Sequence, residues 1–411
     1  MKNTQTLLQI NLSANVGSHG RIAEEIGKLA IQEGWHSVIA YGRAAATSQS
    51  ELVRIGNKID IYEHLIETRL FDNHGLASRS ATKRFIENVK EIKPDIIHLH
   101  NIHGYYLNYR ILFEYLNHVD ISIVWTLHDS WSFTGHCGQY LMADCLKWQS
   151  GCNHCPQHKE EYPSSYVDRS EKNYALKKAL FPANKHLHLV PVSNWMADNV
   201  RQSFLKEADV RVINNGIDVN TFKPLQERKD STKIHILGVS NVWTSYKGLY
   251  DFYKLRELLN EDYYDITLVG LTANQIKQLP KGVIGIERTQ SVNELAKLYA
   301  SSDIFVNPTY CDTFPTVNIE SLACGTPVIT YNVGGSPEII DEETGWVVNK
   351  GDVEAIAQCI KNVANESAAK TENRKSKCRE RAVRLYNKED RYKDYIKLYK
   401  DLLNEKKSCT C

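Results

Sequence analysis

Residues Asp303–Glu338 read DIFVNPTYCDTFPTVNIESLACGTPVITYNVGGSPE. The apolar runs DIFVNPT and PVITY predict two buried strands. Between them Thr313 can cap a helix, Pro315 suits a first helical position, and Gly325 ends the helix after Cys324. Gly334 and Gly335 predict a turn. Strand, helix and strand in this order predict a parallel sheet covered by helices. Two carboxylates, Asp312 and Glu320, stand eight positions apart in the same stretch. A strand end, a carboxylate and a helix N-terminus with free amides suit an anionic, hydroxyl-rich ligand, and a nucleotide sugar is one.

Outward from this stretch the same alternation continues. Strand-like runs are TLLQINLS, HSVIAYG, DIIHLH, ISIVWTLHD, LHLVPVS and VRVINNG, then KIHILGVS, DITLVG and GWVV. The segment RIAEEIGKLAIQEGW predicts a helix with Ile22, Ile26, Leu29 and Ala30 on one face and a Glu24–Lys28 pair outside. Ligands of such sheets bind beyond the carboxyl ends of the strands. The polar stretch 217–232 separates two alternating blocks. It predicts a first domain over 1–220, with a Cys-rich loop at 136–158, and a second over 221–385. The tail 386–411 places Tyr392, Tyr395, Ile396, Tyr399, Leu402 and Leu403 at helical spacing, with a solvated lysine-rich opposite face.

The length of 411 residues agrees with two domains. A net charge of +1 removes any whole-chain electrostatic case for nucleic acid. No apolar run is long enough to span a bilayer. The polar N-terminus reads as a first strand and not as a signal peptide, so a cytoplasmic protein is expected, with peripheral contact to the inner membrane face left open. The turn VGSHGR, with Gly17 and Gly20, does not match GxGxxG, which argues against a dinucleotide cofactor and a dehydrogenase.

Cys137, Cys145, Cys152 and Cys155 follow the pattern C-x7-C-x6-C-x2-C. Such spacing suits a structural zinc site that pins a loop, with His136, His154 and His158 as alternative ligands. Reduced thiols in an irregular insertion, and redox chemistry of the CxxC pair, are the competing readings. Disulfides are not expected in a cytoplasmic chain. His98, His100 and His103 cluster at the end of DIIHLH and are expected to face a crevice.

The motifs GSHGRIAEEIG, PDIIHLHNIHG, WTLHDSWSFTGHC, PVSNWMADNV, VINNGIDVNTFKP and VSNVWTSYKGL, together with the opening stretch, occur in one order. In this the chain resembles the retaining glycosyltransferases of glycosyltransferase family 4, in the branch of bacterial capsule, exopolysaccharide and O-antigen assembly. The resemblance implies an α/β fold of the GT-B type, with two facing Rossmann-like domains and a C-terminal helix crossing back to the first. It implies transfer of a hexose or N-acetylhexosamine, from UDP ahead of GDP, to a saccharide or lipid-linked acceptor. It places Asp312 on the donor sugar, Glu320 on the ribose, and the backbone of Thr313, Phe314, Pro315 and Thr316 at the sugar or diphosphate. Lys247 would neutralise the leaving diphosphate, and His128 would stabilise and position the reacting sugar. Gly17, Gly20, Asn241 and Gly270 complete the expected donor site; His103 and Asp129 are acceptor-side residues. No cofactor is implied for catalysis. The family's first glutamate is Asp312 here, and its arginine before the lysine is Asn241, so that Arg21 or Arg43 is a candidate second cation. The alternatives are a GT-B epimerase that hydrolyses its donor and a non-catalytic sugar-binding scaffold.

Overall fold

The computed structural model describes residues 4–225 and 232–409. The chain forms two compact units, Met1–Ile213 with Tyr392–Cys411, and Asn214–Arg391. Among the described residues the first unit holds seven strands: β1 (Thr6–Ala14), β2 (His36–Ala45), β3 (Glu51–Arg54), β4 (Ile96–Leu99), β5 (Ser122–Leu127), β6 (Leu187–Pro191) and β7 (Asp209–Val210). They lie in the order β3-β2-β1-β4-β5-β6-β7, and every pair is parallel. The run VRVINNG therefore contributes one strand residue only, Val210. The edge strand β3 was not predicted, because ELVR is half charged and lies mostly exposed.

The strand period of two sorts the core. Leu8, Ile10, Ile97, Leu99, Ile123 and Trp125 enter one apolar cluster. Leu7, Ile96 and Val124 enter the other, beneath Tyr392, Tyr395, Ile396, Tyr399 and Leu402 of the last helix, Lys388–Cys409. The tail's stripe is thus core. The same period puts His98 on the Ile96 side. It does not face a crevice: it is buried, with Nε2 2.7 Å from Thr126 Oγ1 and Nδ1 hydrogen-bonded to Tyr399 Oη at 2.6 Å. On the helix Gly17–Gln32 the predicted apolar face is buried, but Glu24 is not outside. It is 1% exposed and accepts from Ser48 Oγ and the Gln49 N–H, while Lys28 turns to Glu25 at 2.7 Å.

The second unit holds β8 (Ile234–Val239), β9 (Tyr264–Val269), β10 (Val283–Ile286), β11 (Ile304–Asn307), β12 (Val328–Tyr331) and β13 (Gly345–Val348). Their order is β10-β9-β8-β11-β12-β13, again parallel throughout. The edge strand β10 was also missed. The unit begins at Asn214, earlier than the expected boundary, because the start of the polar stretch packs into it. Ile217 forms a parallel bridge to Asn387, and Arg379 donates to the carbonyls of Val219 and Phe222. Residues 226–231 of that stretch lie outside the described residues. The return of the chain falls at Arg391, six residues after the predicted 385.

Candidate functional site

In the second unit β8 and β11 are neighbours, with Ile236 opposite Ile304, although the sheet continues in opposite directions from them. A crevice opens at the carboxyl ends of such a pair. The segment after β8 carries Lys247 and that after β11 carries Asp312. Lys247 Nζ lies 2.8 Å from Asp312 Oδ2, and each side chain keeps about a quarter of its surface in solvent, 27% and 22%. Burial alone would push the Lys247 ammonium down, but the Asp312 carboxylate outweighs it and holds the pKa above the ordinary lysine value. Lys247 is therefore a fixed cation at neutral pH.

Backbone contacts hold the two segments together. Tyr310 N–H donates to Tyr246 O at 2.8 Å, and the turn after β12 joins them through Gly335 N–H to Asp312 O at 3.3 Å. Gly248 has φ +76°, and a Cβ there would meet Pro308 O at 2.3 Å, so only glycine lets the β8 segment lie against the β11 segment. Gly270 (φ +97°) gives the same freedom beside Ser240 and Asn241. Asn241 itself is exposed.

The predicted helix is Thr316–Ala323, one residue later than expected at its start. Pro315 occupies the N-cap position and no side chain caps the helix. Thr313 does not cap: its hydroxyl is buried without a partner, while Asp312 Oδ1 accepts the Phe314 N–H at 3.3 Å. Phe314 and Pro315 are buried side chains that shape the turn. The helix N-terminus carries a partial positive charge beside Lys247 and Asp312. Glu320 lies one turn on and accepts from Tyr299 Oη at 3.2 Å.

In the first unit the ends of β1, β4 and β5 collect imidazoles. His128 Nε2 stands 3.3 Å from His100 Nδ1, and His100 Nε2 3.0 Å from Gln9 Oε1. His19 lies beside His128 and reaches Asn11 Oδ1 at 3.1 Å. Burial, then the neighbouring His19, pushes His128 down to about 3. It is neutral near pH 7 and suited to hydrogen bonding, not to carrying charge. His103 Nε2 meets Asp129 Oδ2 at 3.0 Å, and its Nδ1 meets Tyr162 Oη at 2.6 Å. Burial works to raise the Asp129 carboxyl; His103 and the Trp131 N–H outweigh it and hold it below the usual range. Gly17 opens the first helix with φ +72° and free space around it, whereas Gly20 packs against Ser13. Arg21 and Arg43 are exposed.

Tyr162, Glu161 and His74 were not found from the sequence. Tyr162 stacks on His74 with centroids 3.4 Å apart, and Glu161 accepts the N–H groups of Gly138 and Gln139. No motif marks them, because their partners are far along the chain. The four cysteines of the loop do line one cavity. Among the described residues, however, no group of three or more His, Cys, Asp or Glu side chains is placed to hold a metal ion. Cys137 faces Cys155 as a thiol donor, and Cys152 accepts the Gly135 N–H at 3.2 Å. Among the described residues no helix is long and apolar enough to cross a membrane.

Two parallel doubly wound units, each with polar groups gathered at the carboxyl edge of its sheet, fit the GT-B fold class. The family model "Glycosyltransferase Family 4" matches residues 20–221, and "Glycosyl transferases group 1" matches 233–366. The chain belongs to the family-4 type of glycosyltransferases. A protein of Escherichia coli (strain K12), named for colanic acid biosynthesis as the glycosyl transferase WcaC, is 25% identical over 96% of this chain and 100% of its own length. The sucrose-phosphate synthase of Thermosynechococcus elongatus superposes with a TM-score of 0.72 at 18% identity, over 98% of this chain and 100% of that one. Anabaena HepE, solved with UDP, gives 0.65 at 14% identity over 97% and 100%.

Proposed function

We propose that this glycosyltransferase moves a hexose or N-acetylhexosamine, with retention, from a nucleoside-diphosphate sugar to a saccharide acceptor in the assembly of a cell-surface polysaccharide. The observation that carries this reading is the Lys247–Asp312 pair beside an uncapped helix N-terminus at the sheet's switch point. Departure of a diphosphate develops negative charge, and a fixed cation with free amides stabilises it. Lys247 takes that role, and Asp312 holds it in place and meets the sugar hydroxyls. Glu320 accepts from the ribose hydroxyls. UDP is the preferred carrier, supported by its presence in the Anabaena structure. The colanic acid name of the Escherichia coli relative supports a polysaccharide acceptor, which we take to be lipid-linked.

Transfer with retention by front-face displacement needs no side-chain nucleophile. Catalysis then rests on positioning and on leaving-group stabilisation. The neutral His128 positions the reacting sugar, and the His103–Asp129 pair orients the acceptor hydroxyl. Thermal-shift titration with UDP- and GDP-sugars, followed by product analysis, tests this reading. Stabilisation by one UDP-sugar, with transfer to a saccharide and release of UDP, is expected. Donor hydrolysis or epimerisation without transfer, or no response to any nucleotide sugar, would overturn it.

A further inference from the structure

The loop after β5 holds a cluster that donor and acceptor binding leave unused. Cys137, Cys145, Cys152 and Cys155 come from 19 residues of chain and line a single cavity of about 20 Å³. None of them is in a disulfide.

Of the histidines that could compete as ligands, His136 is fully engaged elsewhere. His136 uses both ring nitrogens, Nδ1 on Asp72 at 2.9 Å and Nε2 on the Glu161 carbonyl at 2.5 Å. His158 Nδ1 is on the Cys155 carbonyl at 2.9 Å. The Gly135 N–H already donates to Cys152 Sγ at 3.2 Å, and a Cβ at Gly135 would lie 2.8 Å from Cys152 Cβ, so only glycine allows this approach. The Cys152–Cys155 knuckle is held from both sides: Lys147 Nζ donates to the carbonyls of Asn153 and His154, and the Cys155 N–H to Asp168.

A second observation is independent of the cysteines. Lys177 is 1% exposed, and Nζ donates to the carbonyls of Trp131 and Thr134, which flank this loop. Burial pushes the Lys177 ammonium down to about 7, against thiolates at Cys152 and Cys137 and the carboxylates of Asp129 and Asp72. A buried ammonium is costly unless negative charge lies near it. A divalent ion in four thiolates is a dianion and adds negative charge there.

We propose that these four cysteines close on one zinc ion, with Lys177 as the buried counter-charge. Binding replaces the Cys137–Cys155 contact with Zn–S bonds and displaces the thiol protons to solvent. Four thiolates fill the tetrahedral shell, so the ion is structural. It pins the chain that next delivers Glu161 to the Gly138 and Gln139 amides and Tyr162 to His103.

The test uses the full chain, purified reduced and without oxygen. Plasma emission should find about one zinc per chain. Cobalt exchanged into the wild-type protein should show the intense thiolate charge-transfer and red d–d bands of a tetrahedral sulfur site. These bands should be lost in Cys152→Ser, and chelation should lower the melting temperature reversibly. A folded, reduced chain that binds no stoichiometric zinc, or cobalt bands without thiolate character, would overturn the site. So would a native Cys137–Cys155 disulfide found by mass spectrometry.

Discussion

At the residue scale, Lys247 and Glu320 carry the sharpest expectations. Lys247→Ala removes the cation next to the leaving group. Turnover should fall at least about a hundredfold, the scale of losing one oxyanion-type donor. The Lys247–Asp312 pair is partly exposed and contributes at most about 1 kcal/mol to stability. A melting temperature near wild type with lost turnover therefore separates chemistry from folding; near-normal turnover refutes the assignment. Glu320→Ala removes a charged acceptor worth about 1.5–3 kcal/mol, so donor KM should rise roughly 10- to 100-fold while kcat changes less. An unchanged KM in steady-state assays would discredit the ribose contact. Lys247 was legible because it follows a strand end and precedes a glycine. Its pairing with Asp312 was not, because the two are brought together by β8 lying beside β11. The misread cap shows the same limit. Thr313 has the right side chain for a cap, but the turn buries its hydroxyl and leaves the helix end open.

At the element scale, the last helix was legible from its spacing, since apolar residues three and four apart share a face. Which surface that face would cover was carried by the family resemblance and not by the spacing. The structure adds a polar seam inside that apolar contact: Tyr399 Oη to His98, His98 to Thr126, and Thr126 to Tyr395 Oη. Tyr399→Phe keeps the packing and strands His98 Nδ1 in the core. Chemical denaturation should show a loss of about 1–3 kcal/mol, the cost of one buried unsatisfied group. A loss below roughly 0.5 kcal/mol would mean that His98 finds another partner. The edge strands β3 and β10 were illegible for a different reason. A strand paired on one side needs little apolar sequence, so ELVR carries a weak signal, whereas VIGI is apolar but only four residues long and interrupted by Gly285.

At the scale of the whole molecule, the buried imidazoles set an acid limit on stability. Burial pushes His19 down to about 4 and both His64 and His128 to about 3; His74, His98 and His100 are also held well below their ordinary value. For a depressed histidine the unfolded chain takes up a proton that the folded chain refuses. The stability is whole above about pH 6.5 and is lost as pH falls toward the folded values. His136 has the opposite sign: burial lowers it, but Asp72 outweighs this and raises it. Urea melts should therefore show falling stability from pH 7 to pH 5, by up to about 1.4 kcal/mol per pH unit for each depressed histidine. A flat profile would count against their burial. The sequence by itself determined the parallel α/β class, the two-unit plan and most chemical groups at the strand ends. Periodicity and strand–helix alternation are local properties that a chain displays before it folds. Tertiary structure alone decided which groups meet. It joined Lys247 to Asp312, sent His98 into the core and His103 to Asp129 and Tyr162, and gathered four cysteines around one cavity. Those contacts depend on strand order and on loop paths, which local residue patterns do not encode.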